Sequence, residues 1–225
     1  IGLVYQREVN DAYGKFDIYV DGSLFCHAVL RVTGRHHVYN ALAALSVAKV
    51  LGLPDEAIHR GLAKATVKGR VELVPISKKF TILIDYAHTP DGLENVLTSV
   101  KDFCNGRLIA VFGCGGDRDP MKRPIMGEIG VKCADIAIIT SDNPRTEDPD
   151  AIIEDILKGV KPEYGYYKVV CDRRAAIRYA MDIAEKDDII VLAGKGHETY
   201  QEINGVKYHL DEREEVAAHL EELRN

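Results

Sequence analysis

The run Ala134-Asp135-Ile136-Ala137-Ile138-Ile139-Thr140, continued by Ser141-Asp142-Asn143-Pro144-Arg145-Thr146-Glu147-Asp148-Pro149, decides how the chain is read. Its first half is a short apolar run, which predicts a buried parallel strand. Asp142 to Arg145 then fall at that strand's carboxyl end, the edge where open α/β sheets bind ligands. Pro144 fixes its own φ and steers Asn143 away from helical geometry, so the turn is stiff. A stiff turn aims side chains: Arg145 offers a planar fork suited to a carboxylate or phosphate, and Asn143 adds an amide donor and acceptor. Taken alone, the stretch is an Asx-Pro turn with a solvated Arg. The remainder of the chain changes that reading.

From Val71 onward strands and helices alternate. Strands are predicted at 71–76, 81–85, 108–112, 136–140, 167–171 and 189–193, and helices at 91–103, 122–132, 149–158 and 173–185. This is the pattern of a doubly wound sheet. Asn204-Gly205 marks a hairpin between 200–203 and 206–210, and Asp211 caps a last Glu-rich helix. The opening is different. Residues 2 to 32 alternate as strands with a hairpin at Asp21-Gly22. A helix over 41–51, led in by Gly34 to Asn40 and stopped by Gly52 and Pro54, and a short helix over 55–63 follow. A change of pattern across 64–70 predicts a domain junction.

Composition narrows the function. The 225 residues are 46% hydrophobic and 28% charged, with a net charge of -6 and no basic run or aromatic-basic interleaving, which argues against a nucleic-acid partner. The 5 cysteines form no C-x-x-C pair and are odd in number, which fits a reducing cytoplasm rather than a disulfide framework. No signal peptide or membrane-spanning run is present, so no membrane partner is expected. The chain opens at Ile1 on what already reads as a strand, which suggests part of a longer protein.

Three further strand ends carry chemistry. After 81–85 come Asp85, His88 and a helix start in which Thr89 caps and Pro90 takes the first helical position. Asp85 and His88 are left to grip a ribose hydroxyl and a phosphate. After 108–112 comes Gly113-Cys114-Gly115-Gly116-Asp117-Arg118-Asp119-Pro120-Met121-Lys122-Arg123, in which glycines permit close backbone approach and three cations at a helix start suit an anion. After 189–193 comes Gly194-Lys195-Gly196-His197-Glu198, equally readable as a turn with a surface Glu. Together, Arg118, Asn143, Arg145 and Glu198 would converge with both charge signs, as a zwitterionic amino acid requires.

These stretches resemble the C-terminal part of the Mur ligases, in the branch that uses meso-diaminopimelate. The resemblance rests on Gly69-Arg70-Val71-Glu72, Asp85-Tyr86-Ala87-His88-Thr89-Pro90-Asp91, Gly115-Gly116-Asp117-Arg118-Asp119, Asp142-Asn143-Pro144-Arg145 and Gly194-Lys195-Gly196-His197-Glu198, all in order. It implies an α/β chain: 1–68 as the β-rich and helical tail of a central ATP-binding domain, and 69–225 as a Rossmann-like doubly wound domain that binds the incoming amino acid. It further implies that Arg118, Asn143, Arg145, Gly194 and Glu198 hold meso-diaminopimelate, that Asn40 approaches the adenine, and that Arg70, Asp85 and His88 contact the nucleotide's ribose or phosphates. ATP and Mg²⁺ would serve the full-length enzyme, which would add meso-diaminopimelate to UDP-N-acetylmuramoyl-L-alanyl-D-glutamate through an acyl phosphate, in the cytoplasm. The phosphate-binding loop and the UDP-substrate domain would lie upstream, leaving this stretch inactive by itself. His37 stands where the family pattern has Asn.

Three other readings compete. A related ligase such as a folylpolyglutamate synthetase would share the ATP side but not Asp142-Asn143-Pro144-Arg145. A non-catalytic amino-acid-binding or regulatory module derived from such a ligase is the alternative in a different class. A nicotinamide-dependent oxidoreductase is disfavoured because no G-x-G-x-x-G opens a helix after the first strand of the α/β region.

Overall fold

The computed structural model describes residues 2–4, 14–30, 35–65, 67–76 and 80–223. The chain divides into two compact units, Ile1–Val67 and Lys68–Asn225. In the first, β1 (Gly2–Val4), β2 (Gly14–Val20) and β3 (Ser23–Leu30) form an antiparallel sheet, followed by α1 (Arg35–Val50) and α2 (Asp55–Lys64). The hairpin between β2 and β3 turns at Asp21-Gly22, both at positive φ, as expected. Phe16, Ile18 and Ala28 pack with Val38, Ala41, Leu45, Ile58 and Leu62 as one core. Residues 5–13, expected to continue the β-rich opening, and the expected lead-in at Gly34 lie outside the described residues. The first helix starts at Arg35, earlier than the expected 41, because no Gly or Pro interrupts 35–50. His37 therefore sits, buried, in the helix's first turn.

The second unit is built on β4 (Glu72–Val74), β5 (Thr81–Asp85), α3 (Pro90–Lys101), β6 (Leu108–Phe112), α4 (Lys122–Cys133), β7 (Ile136–Ile139), α5 (Pro149–Leu157), β8 (Tyr166–Val169), α6 (Arg173–Ile183) and β9 (Ile189–Ala193). A hairpin of β10 (Tyr200–Ile203) and β11 (Val206–His209) and a last helix, α7 (Glu212–Glu222), complete it. Among the described residues its main sheet runs β4-β5-β9-β6-β7-β8, parallel throughout except for the antiparallel edge strand β4. The chain steps from β5 across to β6, β7 and β8, then returns through α6 to insert β9 between β5 and β6.

Alternation along the strands supplies two cores. Leu83, Leu108, Ala110, Phe112, Ile139, Val191 and Ala193 face Leu93, Val96, Leu97, Val100, Met126, Ile152, Ile153 and Ile156 of α3, α4 and α5. Ile82, Ile84, Ile109, Val111, Ile138, Ile190 and Leu192 face Ala176, Ile177, Ala180, Met181 and Val216 of α6 and α7. Helices thus cover both faces, which is the doubly wound arrangement, and each buried aliphatic side chain contributes roughly 1.5–3 kcal/mol of transfer free energy. The caps are local. Thr89 accepts from Gly92 N, with Pro90 opening the helix, and Asp211 accepts from Arg213 N. No helix among the described residues is long and apolar enough to cross a membrane.

Candidate functional site

Four parallel strands deliver polar loops to one edge: β5 at Asp85, β6 at Gly113, β7 at Asp142 and β9 at Gly194. The loops after β7 and β9 meet directly, because Asn143 Nδ2 donates to Glu198 Oε2 across 2.9 Å. Beneath them lies Lys195, wholly buried, whose Nζ donates to Asn143 Oδ1 and to Tyr200 O and stands 3.5 Å from Asp142 Oδ1 and 3.6 Å from Glu198 Oε2. Burial pulls the Lys195 ammonium below its usual range, and the neighbouring Asp142 and Glu198 carboxylates act against that fall. Gly194 is needed here on two grounds. Its φ is +116°, and a Cβ would come within 2.5 Å of Asp142 Oδ2.

Arg145 is set by backbone pairing. Its φ is +52°, its N–H donates to Glu202 O, and its carbonyl accepts from Asn204 N, so β10 runs as a short parallel bridge beside the 142–145 turn. Glu202 N in turn donates to Asn143 Oδ1 at 2.9 Å. The Arg145 guanidinium donates from Nη1 to Gly116 O at 2.7 Å and keeps Nε 3.5 Å from Glu202 Oε2. Arg118 is exposed and donates to the Asp117 carbonyl at 3.0 Å. Both arginines border Gly115, where a Cβ would lie 2.9 Å from Arg145 Nη1 and 3.9 Å from Arg118 Cγ. The edge is therefore polarised: Asp142 and Glu198 make a negative end, and Arg118 and Arg145 a positive one.

The loops after β6 and β7 are tied together. Asp117 accepts from Thr146 Oγ1 at 2.7 Å, and Arg123 donates to Glu147 at 2.8 Å and to Asp155 at 2.9 Å. Arg123, expected to add charge for an anion, is only 3% exposed and spends its guanidinium on those two carboxylates. Lys122 donates to His88 O at 2.7 Å. Of the three cations expected at that helix start, Arg118 alone stays exposed without an acidic partner.

A second cluster gathers around Tyr86. His88 packs against it, tilted by 58°, at 4.7 Å between ring centroids, His197, tilted by 43°, at 5.1 Å, and the Arg70 guanidinium lies over the ring at 5.2 Å. Burial pushes the Tyr86 phenol up, with Glu198 and Asp142 adding to the rise. Asp85 is buried, and its two oxygens accept from Val71 N and Ala87 N at 2.8 Å each, bracing the backbone beside Arg70 and His88. Gly69 closes this side: a Cβ there would meet His197 N at 2.3 Å. Arg70, Asp85 and His88 are thus neighbours, while Asn40 stands exposed on α1 of the first unit.

Sequence reasoning left Lys195, Tyr86 and Glu202 without roles. The signal for Lys195 was present in its position, between two glycines directly after a fully apolar strand. Glu202 had none, since only the fold brings β10 to Arg145. Among the described residues no group of three or more His, Cys, Asp or Glu side chains is placed to hold a metal ion.

The Mur ligase glutamate ligase domain model matches residues 69–196. A UDP-N-acetylmuramoyl-L-alanyl-D-glutamate--2,6-diaminopimelate ligase of Clostridioides difficile is 53% identical over 184 residues, covering 81% of this chain and 38% of that protein. The ligase of the same name from Caldanaerobacter subterraneus is 52% identical over 193 residues, 86% of this chain and 40% of that protein. A solved structure of a ligase of that name superposes with a TM-score of 0.70 at 36% identity, covering 100% of this chain and 45% of that one. A Mycobacterium tuberculosis folylpolyglutamate synthase shares the fold, with a TM-score of 0.68 at 23% identity over 85% of this chain and 44% of that one. The chain spans 38% and 40% of the length of the two curated ligases.

Proposed function

The chain belongs to the Mur ligase family through its glutamate ligase domain, and from that premise we propose that it is the amino-acid-receiving part of a cytoplasmic, ATP-dependent ligase of peptidoglycan precursor synthesis. The reaction joins meso-diaminopimelate to the D-Glu carboxylate of UDP-N-acetylmuramoyl-L-alanyl-D-glutamate. The observation that carries this reading is the polarised edge, where the Asn143–Glu198 pair lies beside Arg145 and Arg118.

Diaminopimelate has two α-amino-acid ends. One supplies the attacking amine; the other presents an ammonium and a carboxylate together. Glu198, held by Asn143, suits that ammonium. Arg145 suits the carboxylate: its Nη1 and Nε are occupied by Gly116 and Glu202, which leaves Nη2 without a partner among the described residues. L-lysine lacks the distal carboxylate and would leave this Nη2 without its acceptor, the kind of defect by which a site can reject an analogue by up to roughly four orders of magnitude. On the other side of the second unit, Arg70 and His88 around Tyr86 suit the ribose and phosphates of ATP, with Asp85 bracing the backbone that carries them.

The chemistry has two steps. The γ-phosphoryl group of ATP passes to a D-Glu carboxylate oxygen, giving ADP and an acyl phosphate. The free amine of diaminopimelate then attacks the acyl carbon, the new C–N bond forms, phosphate leaves with the C–O electron pair, and the amine proton passes to solvent. Mg²⁺, when bound, would neutralise phosphate charge. This chain's residues contribute by placing the amine within reach and by fixing its distal end, which is catalysis by orientation.

Calorimetric titration of the protein with meso-diaminopimelate and with L-lysine tests the reading, repeated with Arg145→Ala and paired with a ligase assay of the full-length protein. Expected is binding of diaminopimelate alone, lost in the variant, and diaminopimelate-dependent release of phosphate. Preference for lysine would overturn the choice of amino acid. Diaminopimelate binding without ligation would favour the non-catalytic module instead.

A further inference from the structure

We propose that Lys195 is a positioning residue of the amino-acid site, whose ammonium locks the Asn143 amide and the Glu198 carboxylate into one unit without itself touching the ligand. The inference rests on the reading above that this edge takes an amino acid.

Lys195 is 0% exposed, so a ligand cannot reach it from solvent. Its ammonium has three donors and no acceptor. One donor goes to Asn143 Oδ1 and one to Tyr200 O at 2.7 Å. The remaining direction is shared by Asp142 Oδ1 at 3.5 Å and Glu198 Oε2 at 3.6 Å.

Two consequences follow from donors alone. First, Asn143 Oδ1 accepts from both Lys195 Nζ and Glu202 N, so the amide cannot flip without setting donor against donor twice. Its Nδ2 is thereby committed to Glu198, at 2.9 Å. Second, Asp142 and Glu198 bring two carboxylates to one ammonium. Without that cation the two like charges would repel each other and Asn143 Oδ1 would lose one of its two donors, so the Glu198 carboxylate would no longer be held where Asn143 places it. Lys195 thus fixes both the direction and the position of the group that receives the ligand's amine.

A purely structural lysine would instead be exchangeable at no specific cost to one substrate. In the full-length ligase, Lys195→Met keeps most of the length of the side chain and removes the charge. The KM for meso-diaminopimelate is expected to rise about ten- to hundredfold, the range set by losing charge-assisted hydrogen bonds. The KM values for ATP and the muramoyl dipeptide, and kcat, stay near those of the wild type. An unchanged diaminopimelate KM, or an equal rise in all three KM values, would overturn the proposal.

Should the variant fail to fold, the wild-type protein labelled with ¹⁵N-lysine gives a second readout. The buried ammonium should appear as a resonance protected from solvent exchange that moves on saturation with meso-diaminopimelate and not with ATP. A resonance that stays fixed at saturation would sink the idea. If the wild-type enzyme itself makes no use of diaminopimelate, the functional reading fails first, in the control rather than in the variant, and the role of Lys195 falls with it.

Discussion

Asn143 donates from Nδ2 to Glu198 Oε2 at 2.9 Å, joining two strand-end loops that lie 55 residues apart in the chain. The bond holds the carboxylate at the negative end of the edge while its other oxygen remains available to a ligand. Glu198→Gln keeps the shape and one acceptor but removes the charge. Loss of a charge-assisted bond to an ammonium corresponds to about 1.5–3 kcal/mol, so affinity for meso-diaminopimelate should fall about ten- to hundredfold. Calorimetry measures the affinity, and thermal unfolding should show the midpoint little changed. An unaltered affinity would remove Glu198 from the site.

Gly194 makes a separate prediction about backbone. Its φ of +116° is one that side chains rarely adopt, and an added Cβ would stand 2.5 Å from Asp142 Oδ2. Gly194→Ala should therefore displace the Asp142 carboxylate and cost about 1–3 kcal/mol in backbone strain. Gly52→Ala is the control: its φ is +69°, yet nothing lies within 4 Å of the added carbon. Both variants should lose stability in urea unfolding, but only Gly194→Ala should lose diaminopimelate binding. Equal binding by the two would show that the close approach to Asp142 is unimportant.

The strands 81–85, 108–112 and 189–193 were legible to the residue because each is a short apolar run buried on both faces, bounded by turn-forming residues. The hairpin at 204–205 and the caps at Thr89 and Asp211 were legible because their chemistry is local. The insertion of β9 between β5 and β6 was not, since pairing across a hundred residues leaves no local mark. For the same reason Arg123 read as a free cation: the Glu147 and Asp155 that neutralise it arrive from the next loop and helix. Lys195 had no role in the sequence reading, and only the fold reveals it as buried beneath Asn143.

Arg173 and Glu212 form an ion pair wholly inside the second unit. The two side chains are 0% exposed, Arg173 Nε donates to Glu212 Oε1 at 2.9 Å, and its Nη2 donates to the Ala193 carbonyl at 2.8 Å. Glu212→Gln leaves a buried guanidinium without its counter-charge, which typically costs about 3–5 kcal/mol. Replacing both residues, as in Arg173→Met with Glu212→Met, removes the unpaired charge and should cost less. Urea unfolding of the two variants measures the order. A double variant less stable than the single one would contradict this account.

Asp188 governs part of the acid stability. It is 2% exposed, and burial alone would raise its pKa. Hydrogen bonds outweigh that: Arg107 donates from N at 2.7 Å, Nε at 3.0 Å and Nη2 at 2.7 Å, and Glu185 N donates at 2.8 Å. The net result is a carboxyl held below its ordinary 3.8 in the folded protein. The unfolded chain therefore binds this proton more readily than the native one, so the stabilisation is complete above the unfolded pKa and is lost as pH falls through the folded value. Asp188→Asn should lower the urea midpoint at about pH 6, and the gap from wild type should narrow at about pH 3, where the unfolded carboxyl is protonated. A gap of constant size at both pH values would mean that packing around Asp188, and not its charge, supplies the stability.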